Sequence, residues 1–257
     1  MFGFRYALKE NFKYSGDETR QMFWTSLAFA FILTALFKGF LRQRIILEDA
    51  LLFFLLILFF ILISMWAHIS FQKAVAIKLG YKATYSYWTN GILLSLFLNV
   101  MSFGFIPFIL PGSVNIEHIP KLRLGKFRYG TNLKDLARVC LAGPIAHVLL
   151  IVAAGIIFIA TNSTKDSYIY AFIAVNMFLA VYSMLPIPKI DIPTKIDAGS
   201  DGLGIFFFSR IIYVWVMLTV LLYVLLILLG SVFSLILAFA MATIAIIIYS
   251  VTLGQKN

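Results

Sequence analysis

Long stretches without a formal charge recur along this chain of 257 residues and restrict what it can fold into. One of them runs from Ala50 to Gln72, which as a helix rising about 1.5 Å per residue is long enough to cross about 30 Å of hydrocarbon. Hydrophobic residues make up 62% of the sequence and charged residues 12%, against roughly a quarter charged in soluble domains. The sequence therefore predicts an all-α polytopic integral membrane protein that crosses the cell membrane several times.

The uncharged runs divide the chain into a polar N-terminal segment, residues 1–20, and a single transmembrane domain, residues 21–257. A further uncharged run from Ala83 to Ile116 contains asparagine, proline and glycine, which is typical of one helix followed by a re-entrant turn or a short membrane-embedded strand near 105–118. We therefore expect six or seven transmembrane helices. The regular runs predict spans at about 21–37, 50–72, 139–162, 167–186, 211–229 and 232–252.

The net charge of +10 does not indicate nucleic-acid binding. The basic residues lie in loops beside the predicted spans rather than on one soluble face. The densest basic group falls within the loop at about 112–138, and the positive-inside tendency places that loop in the cytoplasm. The expected partners are therefore membrane lipid and transmembrane protein segments.

Two histidines fall inside predicted spans, where an ionisable residue is by default a functional-site hypothesis. His68 stands near the end of the 50–72 run, and His147 stands early in the span predicted for 139–162. A structural explanation is open for each. His68 would be an interfacial histidine, and His147 would be a buried histidine bonded to a backbone carbonyl or to Asn176.

Four segments, in this order along the chain, resemble the site-2 protease family of intramembrane zinc metalloproteases, and in particular its compact archaeal-type members. The likeness covers a core of about 50–210. HISFQKAVAIKLG from His68 matches the pattern HE-x-x-H-(K/R)-x-V-A-x-K-x-G, and LPGSV matches the turn A-P-G-A-V. AGPIA from Ala142 matches A-G-P-x-A, and Asn176 followed by LPIP matches the fourth motif.

The resemblance implies a zinc ion held by two histidines one helical turn apart and an aspartate, with a glutamate beside the first histidine that activates the zinc-bound water. The glutamate position is Ile69 here, and the second histidine position is Gln72. A missing general base costs roughly 100- to 10,000-fold in rate. We therefore expect a catalytically inactive homologue, without a cofactor, that binds transmembrane segments or membrane partners.

Two aspartates compete for the family's aspartate position. Asp191 follows LPIP at nearly the family's distance, but Ile192 replaces the expected glycine. Asp201 is followed by Gly202, and its use implies an insertion of about ten residues. We expect Asp201 to match, with Asn176 facing the vestigial site. Both aspartates could instead be solvated loop carboxylates.

Two other functions remain open on the sequence. His68, His147 and Asp201 would make a two-histidine, one-carboxylate zinc site, and the protein would then be an active intramembrane metalloprotease with a rearranged centre. A small membrane transporter or channel would also explain intramembrane histidines and broken helices. The chain lacks the two-half symmetry that many transporters show.

Overall fold

Five helices in the described part of the chain are long and apolar enough to cross a membrane. The computed structural model describes residues 2–39, 47–110, 112–119, 132–162, 164, 167–191, 195–197, 199–229 and 234–254. The prediction of an α-helical membrane protein is confirmed in this coarse form. In chain order the elements are α1 (Phe2–Asn11), α2 (Gly16–Lys38), α3 (Leu47–Lys78), β1 (Tyr81–Ser86), α4 (Thr89–Met101), β2 (Ser113–His118), α5 (Leu133–Ala160), α6 (Tyr168–Ser183), β3 (Lys189–Asp191), β4 (Lys195–Asp197), α7 (Asp201–Phe208), α8 (Arg210–Leu228) and α9 (Leu235–Gly254).

The helices extend beyond the uncharged runs that predicted them. α3 has 32 residues and carries charged residues in both terminal turns, whereas α5 has 28 and carries them in its first turn. The span predicted for 167–186 corresponds to α6, which has 16 residues and a length of about 24 Å. Charge-free runs therefore mark the apolar part of each helix rather than its ends. The five long helices are α2, α3, α5, α8 and α9.

The irregular uncharged run folds as α4 followed by a strand that pairs with a strand before it. β2 lies within the range expected for an embedded strand, and it pairs antiparallel with β1, from Tyr81 opposite His118 to Ser86 opposite Ser113. The sequence analysis did not predict β1, although buried and more exposed residues alternate along it. A strand without a partner would leave its backbone groups unpaired, which is why one strand requires the other.

α5 lies at the centre of the described fold. It packs against α3, α6 and α7, which are the helices that carry the polar residues singled out in the sequence. The largest apolar cluster lies beside them and is built from α2, α3, the two paired strands and α6. It includes Phe29, Ile61, Ile69, Tyr85 and Leu179. Val139 of α5 belongs to it as well, so the cluster joins α3 to all of these elements.

The polar N-terminal segment contains α1 and the first turn of α2. α2 begins at a capping box, in which Ser15 Oγ accepts the backbone N–H of Glu18 and Glu18 Oε2 accepts the backbone N–H of Ser15. The sequence signal for this box is serine followed three residues later by glutamate. Glu18 is nevertheless only 3% exposed, so the segment does not lie wholly on the surface.

A buried ion pair ties the N-terminal segment to α3. Lys73 Nζ lies 2.8 Å from Glu18 Oε2, 2.9 Å from the carbonyl oxygen of Lys13 and 4.3 Å from the ring centroid of Tyr14. The second carboxylate oxygen of Glu18 accepts the backbone N–H of Tyr85 at 2.8 Å. Glu18 therefore joins α2, α3 and β1 through one side chain.

We expect Glu18→Gln to lower the free energy of unfolding by about 3–5 kcal/mol, because it leaves the buried charge of Lys73 without a counter-ion. The matched control is Asp17→Asn, since Asp17 is the neighbouring acid and its side chain is 77% exposed. Unfolding of the purified protein in detergent should separate the two variants. Equal stability losses would contradict the role assigned to Glu18.

Candidate functional site

α3 presents two polar side chains one helical turn apart on one face. His68 and Gln72 are both buried, at 8% and 0% exposed. Ile69, which stands at the family's glutamate position, is also fully buried but belongs to the apolar cluster. The position that would hold a general base is therefore filled by a core side chain.

His68 contacts a polar group on each side of its ring. Its Nδ1 lies 3.0 Å from His147 Nε2, and its Nε2 lies 3.0 Å from Asp201 Oδ2. His68 is thus buried within the protein rather than exposed at the end of α3. It is the middle member of a buried hydrogen-bonded group.

α5 brings His147 to this group from the middle of the helix. Because α5 begins at Leu133, ahead of the uncharged run, His147 lies about four turns into the helix. His147 Nδ1 lies 3.0 Å from Asn176 Oδ1, and Asn176 Nδ2 donates to the carbonyl oxygen of Phe172 at 3.0 Å. His147 therefore has two contacts. One is with Asn176, as the structural explanation of this histidine expected, and the other is with His68.

Asp201 is the first residue of α7 and is 8% exposed, so it is not a solvated loop carboxylate. Its Oδ1 accepts a hydrogen bond from Gln72 Nε2 at 2.7 Å. Asp191 ends β3, and its side chain lies outside the described part of the structure. The residues between the two aspartates include β4, which pairs antiparallel with β3.

These side chains form one continuous hydrogen-bonded series, which we call the polar line. It runs in the order Asn176, His147, His68, Asp201, Gln72. Four helices, α6, α5, α3 and α7, contribute to it, and all five side chains are buried. The sequence analysis named four of them as site residues and treated Gln72 only as a lost ligand. The sequence signal that could have identified Gln72 is its spacing of four residues from His68, which places both side chains on one face of a helix.

Gly143 on α5 makes room for the polar line. A Cβ atom at this position would lie 2.5 Å from His68 Nε2 and 2.8 Å from Asp201 Oδ2. Both distances are shorter than real Cβ atoms show, so any side chain here would displace the histidine ring or the carboxylate. The glycine of the AGP segment is thereby explained by a close approach of α5 to the ion pair.

The proposed zinc ligands do not converge on one point. The His68 ring stands between the other two donors, because His147 faces its Nδ1 and Asp201 faces its Nε2. The two nitrogens of one imidazole point away from each other, so a metal ion between His68 and Asp201 cannot also reach His147. No group of three potential ligands suited to a metal ion occurs among the described residues. The arrangement does not fit a zinc ion.

A small cavity adjoins the polar line. It has a volume of about 10 Å³, the space of about one water molecule, and its lining includes His68, Gln72, Tyr85 and Asp201. Gln72 Oε1 is buried and has no hydrogen-bond partner within the described ranges, so it is available to accept from a water there. The hydroxyl of Tyr85 donates to Thr25 Oγ1 at 3.0 Å.

No family model, no curated protein and no solved structure matches this chain. The likeness to the site-2 proteases therefore rests on the four ordered motifs.

We expect Gly143→Ala to push the His68 ring away from Asp201 and to destabilise the protein by about 1–3 kcal/mol, the usual cost of overpacking. This steric cost should outweigh the gain in helix propensity, which is at most about 1 kcal/mol. Gly16→Ala is the control, because nothing lies within 4 Å of a Cβ added there. Thermal unfolding in detergent measures both, and a Gly143→Ala protein as stable as the control would contradict the close approach.

Proposed function

We propose that the protein is a site-2-protease-like membrane protein that does not hydrolyse peptide bonds and instead binds transmembrane segments of other membrane proteins. The observation that carries this proposal is the polar line. It stands where the resemblance implies a metal centre, and each of its members already contacts another. The proposal also assumes the site-2-protease-like core of about 50–210.

Two features of the site oppose hydrolysis. A general base must reach the attacking water and must be free to take its proton. Ile69 cannot accept a proton, and Asp201 already contacts His68 with one oxygen and accepts from Gln72 with the other. Ile69 thus replaces one group that would activate water, and both carboxylate oxygens of Asp201 are already in contact with other side chains.

We count α4 and α6 with the five long helices as membrane-embedded, which gives seven. α6 has 16 residues and α4 has 13, so each is shorter than the hydrocarbon core at about 1.5 Å per residue. Both are apolar, and α6 carries Asn176 into the polar line.

An apolar groove supports the binding of a helical segment. Its volume is about 670 Å³, and it lies between α2 and α4, with Phe54 of α3 also lining it. The α2 residues that line it recur at intervals of three and four, and so do those of α4. One stripe on each helix therefore faces the groove over about two to three turns, which is the geometry that a partner helix fits. The lining residues are Trp24, Leu27, Ala28 and Phe31 on α2, and Thr89, Ile92, Leu93, Leu96 and Val100 on α4.

We expect the protein in lipid vesicles to leave a panel of transmembrane substrates uncleaved over hours, with an active site-2 protease in parallel vesicles as the positive control. The reason is the missing general base, which alone costs roughly 100- to 10,000-fold in rate. Gel analysis of labelled substrates measures it. Cleavage that His68→Ala and Asp201→Asn both abolish would instead favour the metalloprotease with a rearranged site.

We expect Ala28→Trp to reduce the binding of a partner segment at least tenfold, because the indole would fill the groove. Ala240→Trp is the matched control, since Ala240 on α9 is exposed and lies outside the groove. A photo-crosslinker at Leu93 first identifies partner segments in membranes, and each is then titrated as a labelled peptide into vesicles that hold the protein. If the Leu93 crosslinker captures only lipid, or if both tryptophan variants bind equally, the groove is not the docking site.

A further inference from the structure

We propose that the polar line binds a proton where the resemblance implies zinc, with His68 as an imidazolium between the carboxylate of Asp201 and a neutral His147. This inference follows from the hydrogen-bond donors and acceptors of the polar line and from the groups that surround Asp201 and His68. It therefore does not depend on whether the protein binds transmembrane segments.

The two ends of the line are fixed by side-chain amides. Asn176 Nδ2 donates to the carbonyl oxygen of Phe172, so Asn176 Oδ1 faces His147 as an acceptor. His147 must therefore carry a proton on Nδ1. At the other end, Gln72 Nε2 donates to Asp201 Oδ1, because the reverse orientation would set an amide oxygen against a carboxylate oxygen at 2.7 Å.

Each of the two inner contacts then requires a proton of its own. His147 Nε2 and His68 Nδ1 lie 3.0 Å apart, and so do His68 Nε2 and Asp201 Oδ2. Without a proton, two lone pairs would face each other at hydrogen-bond distance. Two neutral imidazoles supply one ring proton each, and the proton of His147 already points to Asn176. The group therefore holds one proton more than two neutral histidines and a carboxylate, and its net charge is zero.

The surroundings place the positive charge on His68. Asp201 is held as an anion by the short hydrogen bond from Gln72 and by its place at the first residue of α7, where the backbone N–H groups favour negative charge. An imidazolium at His68 has an acceptor on each side and touches the carboxylate directly. An imidazolium at His147 would be separated from that carboxylate by a whole ring.

A proton and a metal ion are mutually exclusive here. Zinc needs the lone pairs of neutral imidazoles, so it would displace both shared protons, and the His68 ring would have to turn away from one of its partners. The ion pair instead links α3 to α7 directly, and the neutral ring of His147 extends the link to α5 and α6. A buried charge that is paired and hydrogen-bonded in this way avoids the cost of an isolated one.

The test is nitrogen-15 solid-state NMR of the protein in lipid vesicles, with zinc content measured on the same sample. The chain has three histidines, and His118→Gln assigns the third. We expect both ring nitrogens of His68 to be protonated, and only Nδ1 of His147. We also expect both patterns to be unchanged when zinc is added in fivefold excess.

Asp201→Asn provides a second measurement with a definite outcome. The asparagine can donate to His68 Nε2 and still accept from Gln72, so every contact is kept with one proton fewer. His68 should then become neutral and lose one of its two protonated nitrogen signals. Asp17→Asn, the same change at an exposed aspartate, should leave both signals in place.

Three results would overturn the inference. A neutral His68 in the wild-type protein would do so, as would stoichiometric zinc that is lost in Asp201→Asn. A His68 that stays doubly protonated in a folded Asp201→Asn protein would also contradict it. If that variant does not fold, the wild-type spectrum and its zinc content still decide the matter.

Discussion

The hydrocarbon core of a membrane supplies no water to buried polar groups, so these groups must find hydrogen-bond partners within the protein. Every side chain of the polar line satisfies its neighbour, and Glu18 and Lys73 do the same for each other beside the paired strands. The apolar side chains make the protein a membrane protein and pack its helices together in clusters. The few buried polar contacts add specificity, because each requires a particular partner at hydrogen-bond distance.

The sequence predicted the class of fold and the location of the site better than the site's chemistry. Charge-free runs mark apolar helices directly, and ordered motifs drew attention to His68, His147, Asn176 and Asp201. The strand β1 was missed because its pairing partner lies about thirty residues further along, and pairing is a tertiary property. The burial of Glu18 was missed for the same reason, since its counter-ion belongs to another helix.

The pattern of donors and acceptors around His68 was beyond the reach of sequence. Gln72 looked like a lost ligand because a motif compares residue types at fixed positions. In three dimensions the same glutamine donates to Asp201, and the isoleucine at position 69 completes an apolar cluster. The glutamine at position 72 and the isoleucine at position 69 both depart from the family pattern, and both contribute to a packed and hydrogen-bonded interior. A linear arrangement of the ligand candidates cannot be distinguished from a converging one until the helices are placed.

The order of the polar line along the chain has a consequence for biosynthesis. His68 and His147 enter the membrane before Asp201 leaves the ribosome, since synthesis proceeds from the N-terminus. Until α7 emerges, the two imidazoles have each other and Asn176 as partners but lack the carboxylate of Asp201. A chain arrested before residue 201 thus lacks the ion pair that links α3 to α7.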